Sequence, residues 1–399
     1  MKPRAVTAKL RALASRFPAV YLGGPRQSGK TTLARATFPA LPYVSLEDPD
    51  EREFAATDPR GFLARFPAGA VLDEVQRVPT ILSYLQRVID DSRTPGRFVL
   101  TGSQQFLLMR GVSQSLAGRV AVVTLPPFSL AELTEVPWFD PARLDTIKPS
   151  RVLPSFTLEW LLRQGLFPAV HDTGADAFDW MASYYRTYVE RDVRELLAIG
   201  DLEAFGRFVR LCAGRTGQLL NLSSLGSDAG VTHTTARRWL SVLVTSGLVY
   251  LLQPHHADFS KRLIKSPKLY LLDSGLLCYL LRIARDADVA THPLRGAIFE
   301  TFVVSELFKG FAALGQEPPL YFWRDQSGHE VDVLIDLGSR LVPVEVKSGR
   351  TVAWDFVAGL EYWLGLPGNA EKRGVLVHGG DDQSHRRRGH IVRPWFACS

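Results

Sequence analysis

Acidic side chains are missing from the start of this chain: none precedes Glu47. The opening MKPRAVTAKLRALASRF is basic and amphipathic, superficially like an organelle transit peptide. The acid-free stretch runs on through a motif the protein needs, so that reading fails. Cysteine is scarce. Cys212, Cys278 and Cys398 lie far apart and form neither a metal-spaced set nor an even disulfide framework. They suit a reducing cytoplasm, which is the compartment expected. Long apolar runs are also lacking. Segments such as LVYLL are core-sized and none approaches the ~20 residues of a membrane span, so no membrane partner is expected.

What is present is ordinary for a globular chain. Hydrophobic residues at 46% and charged residues at 22% exclude disorder and fibres. A length of 399 residues exceeds what one hydrophobic core usually organises, which predicts two or three domains. Forty-seven Lys and Arg against 41 Asp and Glu leave +6, a balance compatible with a polyanionic partner without demonstrating one.

AVYLGGPRQSGKTTLARATF reads as an apolar strand, a glycine-containing turn and a helix beginning near Lys30. Gly24, Gly29, Lys30 and Thr31 match G-x-x-x-x-G-K-[ST]. The loop Gly24, Pro25, Arg26, Gln27, Ser28 and Gly29 then curls backbone amides around phosphate, and Lys30 reaches the outer phosphates. Thr31, followed by Thr32, offers a hydroxyl to Mg2+. In AGAVLDEVQRVP a short strand ends in Asp73, an acid for the Mg2+ shell, and Glu74, a carboxylate to polarise the attacking water. GRFVLTGSQQF is a third apolar strand, ending in Thr101, Ser103 and Gln104. Those polar groups suit a γ-phosphate sensor, and a helix cap by Ser103 is an equal alternative. SLAGRVAVVTLPPFSL puts Arg119 directly before another strand. It is either a surface arginine or an arginine finger acting on a neighbouring subunit's nucleotide, the latter requiring a homo-oligomer built through this domain.

The set GPRQSGKTTL, LDEVQRVP, TGSQQF and SLAGR resembles the bacterial and archaeal ATP-binding proteins that join an AAA-type ATPase domain to an uncharacterised C-terminal region. YYRTYVERDVREL, KRLIKSPKLYLLDSGL and GAIFETFVVSEL extend the resemblance over nearly the whole chain. It implies a P-loop α/β domain with a parallel sheet, Walker roles for Lys30, Thr31, Asp73 and Glu74, and a sensor role for Ser103 or Gln104.

Residues 135 to 155 are Pro-rich and aperiodic, a loop or boundary. MASYYRTYVERDVRELLAI carries Tyr184, Tyr188, Val193, Leu196 and Leu197 at helical spacing, with ERDVRE as a solvated face or a contact with the ATPase domain. LLNLSSLGSDAGVTHTTARRWLSVLVTSGLVYLLQPH predicts a helix, a turn holding Gly226 and Gly230, a second helix after Thr232, and a strand. That order is a winged helix. In a DNA reader His233, Thr234, Thr235, Arg237 and Arg238 face phosphates or base edges, with Lys261, Arg262, Lys265 and Lys268 adding charge. Winged helices also dock proteins.

From residue 291 the pattern is helix, strand, strand, helix, strand. In HEVDVLIDLGSRLVPVEVKSG, alternation puts Val331, Val333 and Ile335 opposite Asp332, and Val342, Val344 and Val346 opposite Glu345 and Lys347. As hairpin neighbours, the two strands bring Asp332, Glu345 and Lys347 together. With Glu300 from the helix, and Glu330 as a less favoured extra, they can hold a second divalent metal while Lys347 orients water or phosphate. Glu300, Asp332 and EVK resemble the D/E-x-K nuclease fold of restriction endonucleases and Holliday-junction resolvases. Glu345 and Lys347 as a plain cross-strand ion pair is the competing reading. Arg386, Arg387 and Arg388 suit a phosphate rim or a solvated loop.

The expected organisation is an ATPase domain over 1–135, a linker and helical bridge over 136–199, a winged-helix module over 200–290, and a restriction-endonuclease-like α/β domain over 291–399. The expected function is Mg2+-dependent ATP hydrolysis coupled to DNA. The C-terminal domain is either a nuclease gated by the ATPase or part of a nucleotide switch that binds DNA or protein without cutting.

Overall fold

The computed structural model describes residues 2–103, 116–146, 152–190, 201–255 and 265–398. It divides into two compact units, one built on residues 1–128 and one holding most of residues 129–399.

The first unit is organised by a parallel sheet of β1 (Ala19–Gly23), β2 (Tyr43–Ser45), β3 (Ala70–Asp73), β4 (Phe98–Gly102) and β5 (Val120–Thr124), in the order β2-β3-β4-β1-β5. Every residue of β1, β3 and β4 is buried, the signature of strands covered on both faces. Alternation sorts them. Ala19 and Tyr21 join a core with Ile81, Leu82, Leu85 and Ile89, which sit on one face of the helix Ile81–Asp91. Val20 and Leu22 join a second core with Leu10, Leu33 and Ala34 from the helices Thr7–Ala14 and Lys30–Thr37. Because all five strands are parallel, their carboxyl ends form one edge, and the loops after β1, β3 and β4 meet there.

The second unit centres on a nine-stranded mixed sheet. Its strands are β6 (Gln218–Leu219), β7 (Val249–Pro254), β8 (Lys268–Leu271), β9 (Leu320–Arg324), β10 (Glu330–Asp336), β11 (Leu341–Lys347), β12 (Val375–His378), β13 (His385–Arg387) and β14 (His390–Pro394). β7 pairs antiparallel with β8 through Val249–Leu252 and parallel with β9 through Gln253 and Pro254. The two modules expected on either side of residue 290 therefore share one sheet.

In the described stretch from residue 201 to β7 stand the helices Leu202–Gly214, Leu222–Ala229 and His233–Thr245. Trp239 packs edge-on against Phe205 and Phe208 at 5.3 and 5.5 Å between ring centroids, locking the third helix onto the first. Gly230 ends the second helix with φ +76°, a left-handed cap that favours glycine. Gly226 does not lie in the turn, as the sequence pattern suggested. It is buried inside the second helix, where a Cβ would come within 3.3 Å of the Ala236 methyl, so its bare backbone sets the close approach of the two helices.

Tyr184 and Tyr188 are buried, as helical spacing requires, but the helix Ala177–Tyr184 continues into a π-helical turn at Tyr185–Glu190. Val193, Leu196, Leu197, Gln104, Lys261 and Arg262 lie outside the described residues.

Candidate functional site

The loop after β1 is shaped by backbone that few residues tolerate. Gly24 has φ +150°, and a Cβ there would meet the Leu125 carbonyl oxygen at 2.1 Å. Gly29 has φ +91° and immediately precedes the helix Lys30–Thr37, whose first amides have no intrahelical acceptor. Pro25 and Ser28 are buried, Arg26 half-buried, and Gln27 and Thr32 exposed. The Lys30 ammonium donates to the carbonyls of Gly24 at 3.1 Å and Pro25 at 2.9 Å. Burial lowers its pKa to about 8 against the pull of Glu74 and Asp73.

One carboxylate gathers the other loops. Asp73, buried at the end of β3, accepts from Thr31 Oγ1 at 3.0 Å and from the Tyr43 phenol at 2.8 Å, and Thr101 donates to it from the end of β4. Burial and this bond push the Tyr43 phenol up to about 12. Glu74, in the left-handed region with φ +55°, anchors its amide on Thr101 Oγ1 at 3.3 Å. Its carboxylate accepts from Ser103 Oγ at 3.2 Å and from the Gln76 amide. Thr31, Asp73, Glu74, Thr101 and Ser103 thus stand together at the carboxyl edge of the sheet. Ser103 touches Glu74, and the residues directly after it, where a helix it could cap would begin, lie outside the described residues.

Arg4 was not legible as part of this site. Buried, it donates to the Ser28 carbonyl at 2.7 Å and to the Pro126 carbonyl at 2.7 Å, with its guanidinium 5.0 Å above the Phe128 ring. It clamps the phosphate loop to the turn after β5. Arg119 sits elsewhere. It precedes β5, at the amino end of a strand parallel to β1, and its guanidinium makes a two-pronged pair with Asp90 at 2.7 and 2.9 Å. The strands of about five residues place it roughly 16 Å from the carboxyl edge, so it does not join the nucleotide site of its own subunit.

In the second unit, β10 and β11 pair antiparallel with Val333 opposite Val344. Simple alternation fails along β10. Its register with β9 slips between Val331 and Leu334, so Val331 and Leu334 enter the same core, beneath the helix Ala358–Leu364. The irregularity re-aims Asp332, whose carboxylate accepts from the Val346 amide at 2.8 Å. Glu345, 5% exposed, pairs with Lys347 at 2.5 Å while its Oε2 has no hydrogen-bond partner among the described residues. Burial, reinforced by Asp332, raises its pKa to about 8.

Glu300, from the helix Arg295–Ala313, does not meet Glu345 directly. It accepts from Lys268 at 3.0 Å and from the Tyr270 phenol at 2.5 Å. Lys268 is therefore no exposed phosphate contact, as its basic neighbourhood suggested. It is 2% exposed, bound to Glu300 and Glu330, and 4.0 Å from Asp332. Burial opposes its charge, yet the surrounding carboxylates hold its pKa well above the usual lysine value. Among the described residues no set of three His, Cys, Asp or Glu side chains is gathered closely enough to grip a metal. The predicted set is split, with Glu300, Glu330 and Asp332 around Lys268 and Glu345 on Lys347.

On the third helix of the preceding group, His233, Thr234, Arg237 and Arg238 are exposed along one face, with Thr235 half-buried and bonded to Thr232. Lys265 is exposed. Arg386 is exposed on β13, while Arg387 donates to the Val352 carbonyl and Arg388 pairs with Glu361.

A family model described as an AAA domain matches residues 16–134, and two domains of unknown function match 156–287 and 295–397. Uncharacterized proteins of Mycobacterium bovis and Mycobacterium tuberculosis are each 33% identical over 351 residues, covering 87% of this chain and 74% of theirs. The chain belongs to the family of these mycobacterial proteins. Its first unit is an AAA-type ATPase domain. Among solved structures, a Walker-type ATPase of Pyrococcus abyssi matches with TM-score 0.41 and 15% identity, over 69% of this chain and 94% of that one. RuvB of Thermotoga maritima matches with TM-score 0.29 and 19% identity, over 61% and 88%. Similarity at that level carries no argument beyond the family match. No helix among the described residues is long and apolar enough to cross a membrane.

Proposed function

We propose that this chain hydrolyses ATP with Mg2+ and couples hydrolysis to DNA engagement. The observation that carries the first half is the junction of Thr31 with Asp73 beside Glu74. A hydroxyl and a carboxylate within 3.0 Å are the oxygen donors a hard divalent cation takes, and the phosphate loop stands over them. When bound, Mg2+ would neutralise charge developing on the phosphate oxygens. The chain's own groups do the rest. Gly24 to Gly29 cradle phosphate with backbone amides, Lys30 holds the outer phosphates, and Thr31 and Asp73 take the metal. Glu74 polarises the attacking water, and Ser103 orients Glu74.

The DNA half rests on the three-helix order followed by β7 and β8, a winged-helix arrangement whose third helix exposes His233, Thr234, Arg237 and Arg238. The test is steady-state ATPase activity with and without duplex DNA. Stimulation in the parent that the double variant Arg237→Glu/Arg238→Glu loses supports coupling. Equal rates with and without DNA at saturating protein overturn it.

A second reading concerns the carboxylates of the second unit, favoured by the buried Glu345 Oε2, without a hydrogen-bond partner among the described residues, beside Lys347 and Asp332. This reading requires Glu300, Asp332 and Glu345 to be drawn together from their split arrangement before they hold a divalent cation, with Lys347 positioning water or phosphate, as in D/E-x-K nucleases. Cleavage assays with Mg2+ or Mn2+, with and without ATP, decide it. No cut on duplex, single-stranded or branched DNA, or equal cutting by Lys347→Ala, leaves the chain a nucleotide switch that binds without cutting.

A further inference from the structure

A cleft of about 720 Å³ lies among the helices of the second unit, and neither proposed activity uses it. Its volume falls in the range of small-ligand sites. Arg186 lines it from the π-helical turn Tyr185–Glu190, Arg210 from the helix Leu202–Gly214, and Arg282 from just beyond the helix Ser274–Leu280. All three are exposed, and none of their guanidiniums has an ion pair or a hydrogen-bond acceptor among the described residues. Their neighbours in sequence are matched. Arg207, on the same helix as Arg210, pairs with Glu203, and Arg285, shortly after Arg282, pairs with Asp288. Asp179 is the one acid among the described lining residues, which leaves three cations against one anion.

Arg282 adds a conformational observation. It has φ +62° and follows the C-cap Leu281, a place that glycine normally takes because it has no Cβ to crowd. An arginine there carries strain that glycine would avoid, so what the position supplies is the guanidinium. The cleft also holds ring surface. Phe178 meets Tyr279 edge-on at 5.1 Å between centroids, Tyr185 lies 5.9 Å from Tyr279, and all three line the cavity.

We propose that this cleft binds a phosphorylated nucleoside, its di- or triphosphate taken by Arg186, Arg210 and Arg282 and its base by the rings of Phe178 and Tyr279. Guanidinium forks match phosphate oxygens two at a time, and aromatic faces hold a planar base. Three cations from three elements exceed what a single carboxylate or monophosphate calls for. The phosphate loop of the first unit surrounds phosphate with backbone amides, whereas this cleft recognises it through side chains. The two sites therefore respond to different substitutions.

The test is equilibrium dialysis of radiolabelled ADP, GDP and UDP against the full chain, with Lys30→Ala, Arg210→Glu and Arg282→Gly beside the parent. At least one of these nucleotides is expected to bind the parent and Lys30→Ala equally at a site that Arg210→Glu and Arg282→Gly each weaken about ten- to hundredfold, the range of a lost charge-assisted bond. Arg282→Gly relieves the left-handed backbone, so its thermal midpoint is expected at or above the parent's, and its loss of binding is then not a loss of fold. Arginine variants that bind all three nucleotides as the parent does overturn the proposal. A site that takes inorganic pyrophosphate as tightly as any nucleotide also overturns it, since the rings then contribute nothing. So does one that takes a single-stranded oligonucleotide and no free nucleotide.

Discussion

The hydroxyl of Thr31 lies 3.0 Å from the carboxylate of Asp73, tying the first turn after the phosphate loop to the end of β3. Glu74 follows that carboxylate directly, so the group proposed to hold metal and the group proposed to polarise water are neighbouring carboxylates with separate partners. Their loss is expected to separate in the same way. Lys30→Ala is expected to raise the ATP dissociation constant roughly ten- to hundredfold, the range of a lost charge-assisted bond. Glu74→Gln is expected to bind ATP as the parent does while turnover falls about a hundredfold or more. Calorimetric titration and a phosphate-release assay read the two, and normal turnover by Glu74→Gln would displace Glu74 from its role.

Arg4 gives a prediction that no motif contains. Its two strong bonds hold the Ser28 and Pro126 carbonyls, so Arg4→Ala leaves buried acceptors unsatisfied at the rear of the phosphate loop. A loss of about 2 kcal/mol is expected. It should appear as a lower urea midpoint at unchanged slope, together with weaker ATP binding. A variant with the parent's midpoint and affinity would show the clamp to be idle.

The exposed arginines of the helix His233–Thr245 are tested by salt. If Arg237 and Arg238 each neutralise a phosphate, replacing both by alanine reduces the slope of log affinity against log salt by about two units. A variant that binds duplex DNA with the parent's slope would place the contact elsewhere.

Cys212, Cys278 and Cys398 are all buried and free. Burial pushes the Cys212 thiol up to about 12 and the Cys278 thiol well above its ordinary value, so thiolate is scarce at pH 8. Ellman's reagent is therefore expected to find no fast-reacting thiol in the native protein and three after guanidinium unfolding. A rapid native reaction would contradict this burial.

What the sequence made legible has a common form: short, contiguous and bound by backbone geometry. Gly24 to Thr31 could be read because glycine at two fixed places and Lys-Thr at a third serve one strand-turn-helix. Asp73 and Glu74 could be read as a strand end. Arg4 could not, since its partners stand 24 and 122 residues away and no local pattern marks them. Lys268 was misread for a related reason. Among basic neighbours it looked solvent-facing, whereas strand β8 turns it inward onto three acids from two later elements, the helix Arg295–Ala313 and β10. Counting faces placed Glu345 with Lys347, but the slip between Val331 and Leu334 broke the alternation on which Asp332's direction depended. The arginine before β5 was visible as a residue, while its pairing with Asp90 required the fold.

β7 has a practical consequence. Its first four residues bond to β8 and its last two to β9, so the strand cannot be assigned to one half of the second unit. A gene split near residue 290 would put Lys268 on one polypeptide and Glu300, Glu330 and Asp332 on the other. Neither fragment would own the complete nine-stranded sheet. Co-expression of the two pieces then becomes a complementation assay, in which solubility returns only when the fragments find each other through the β7–β9 seam.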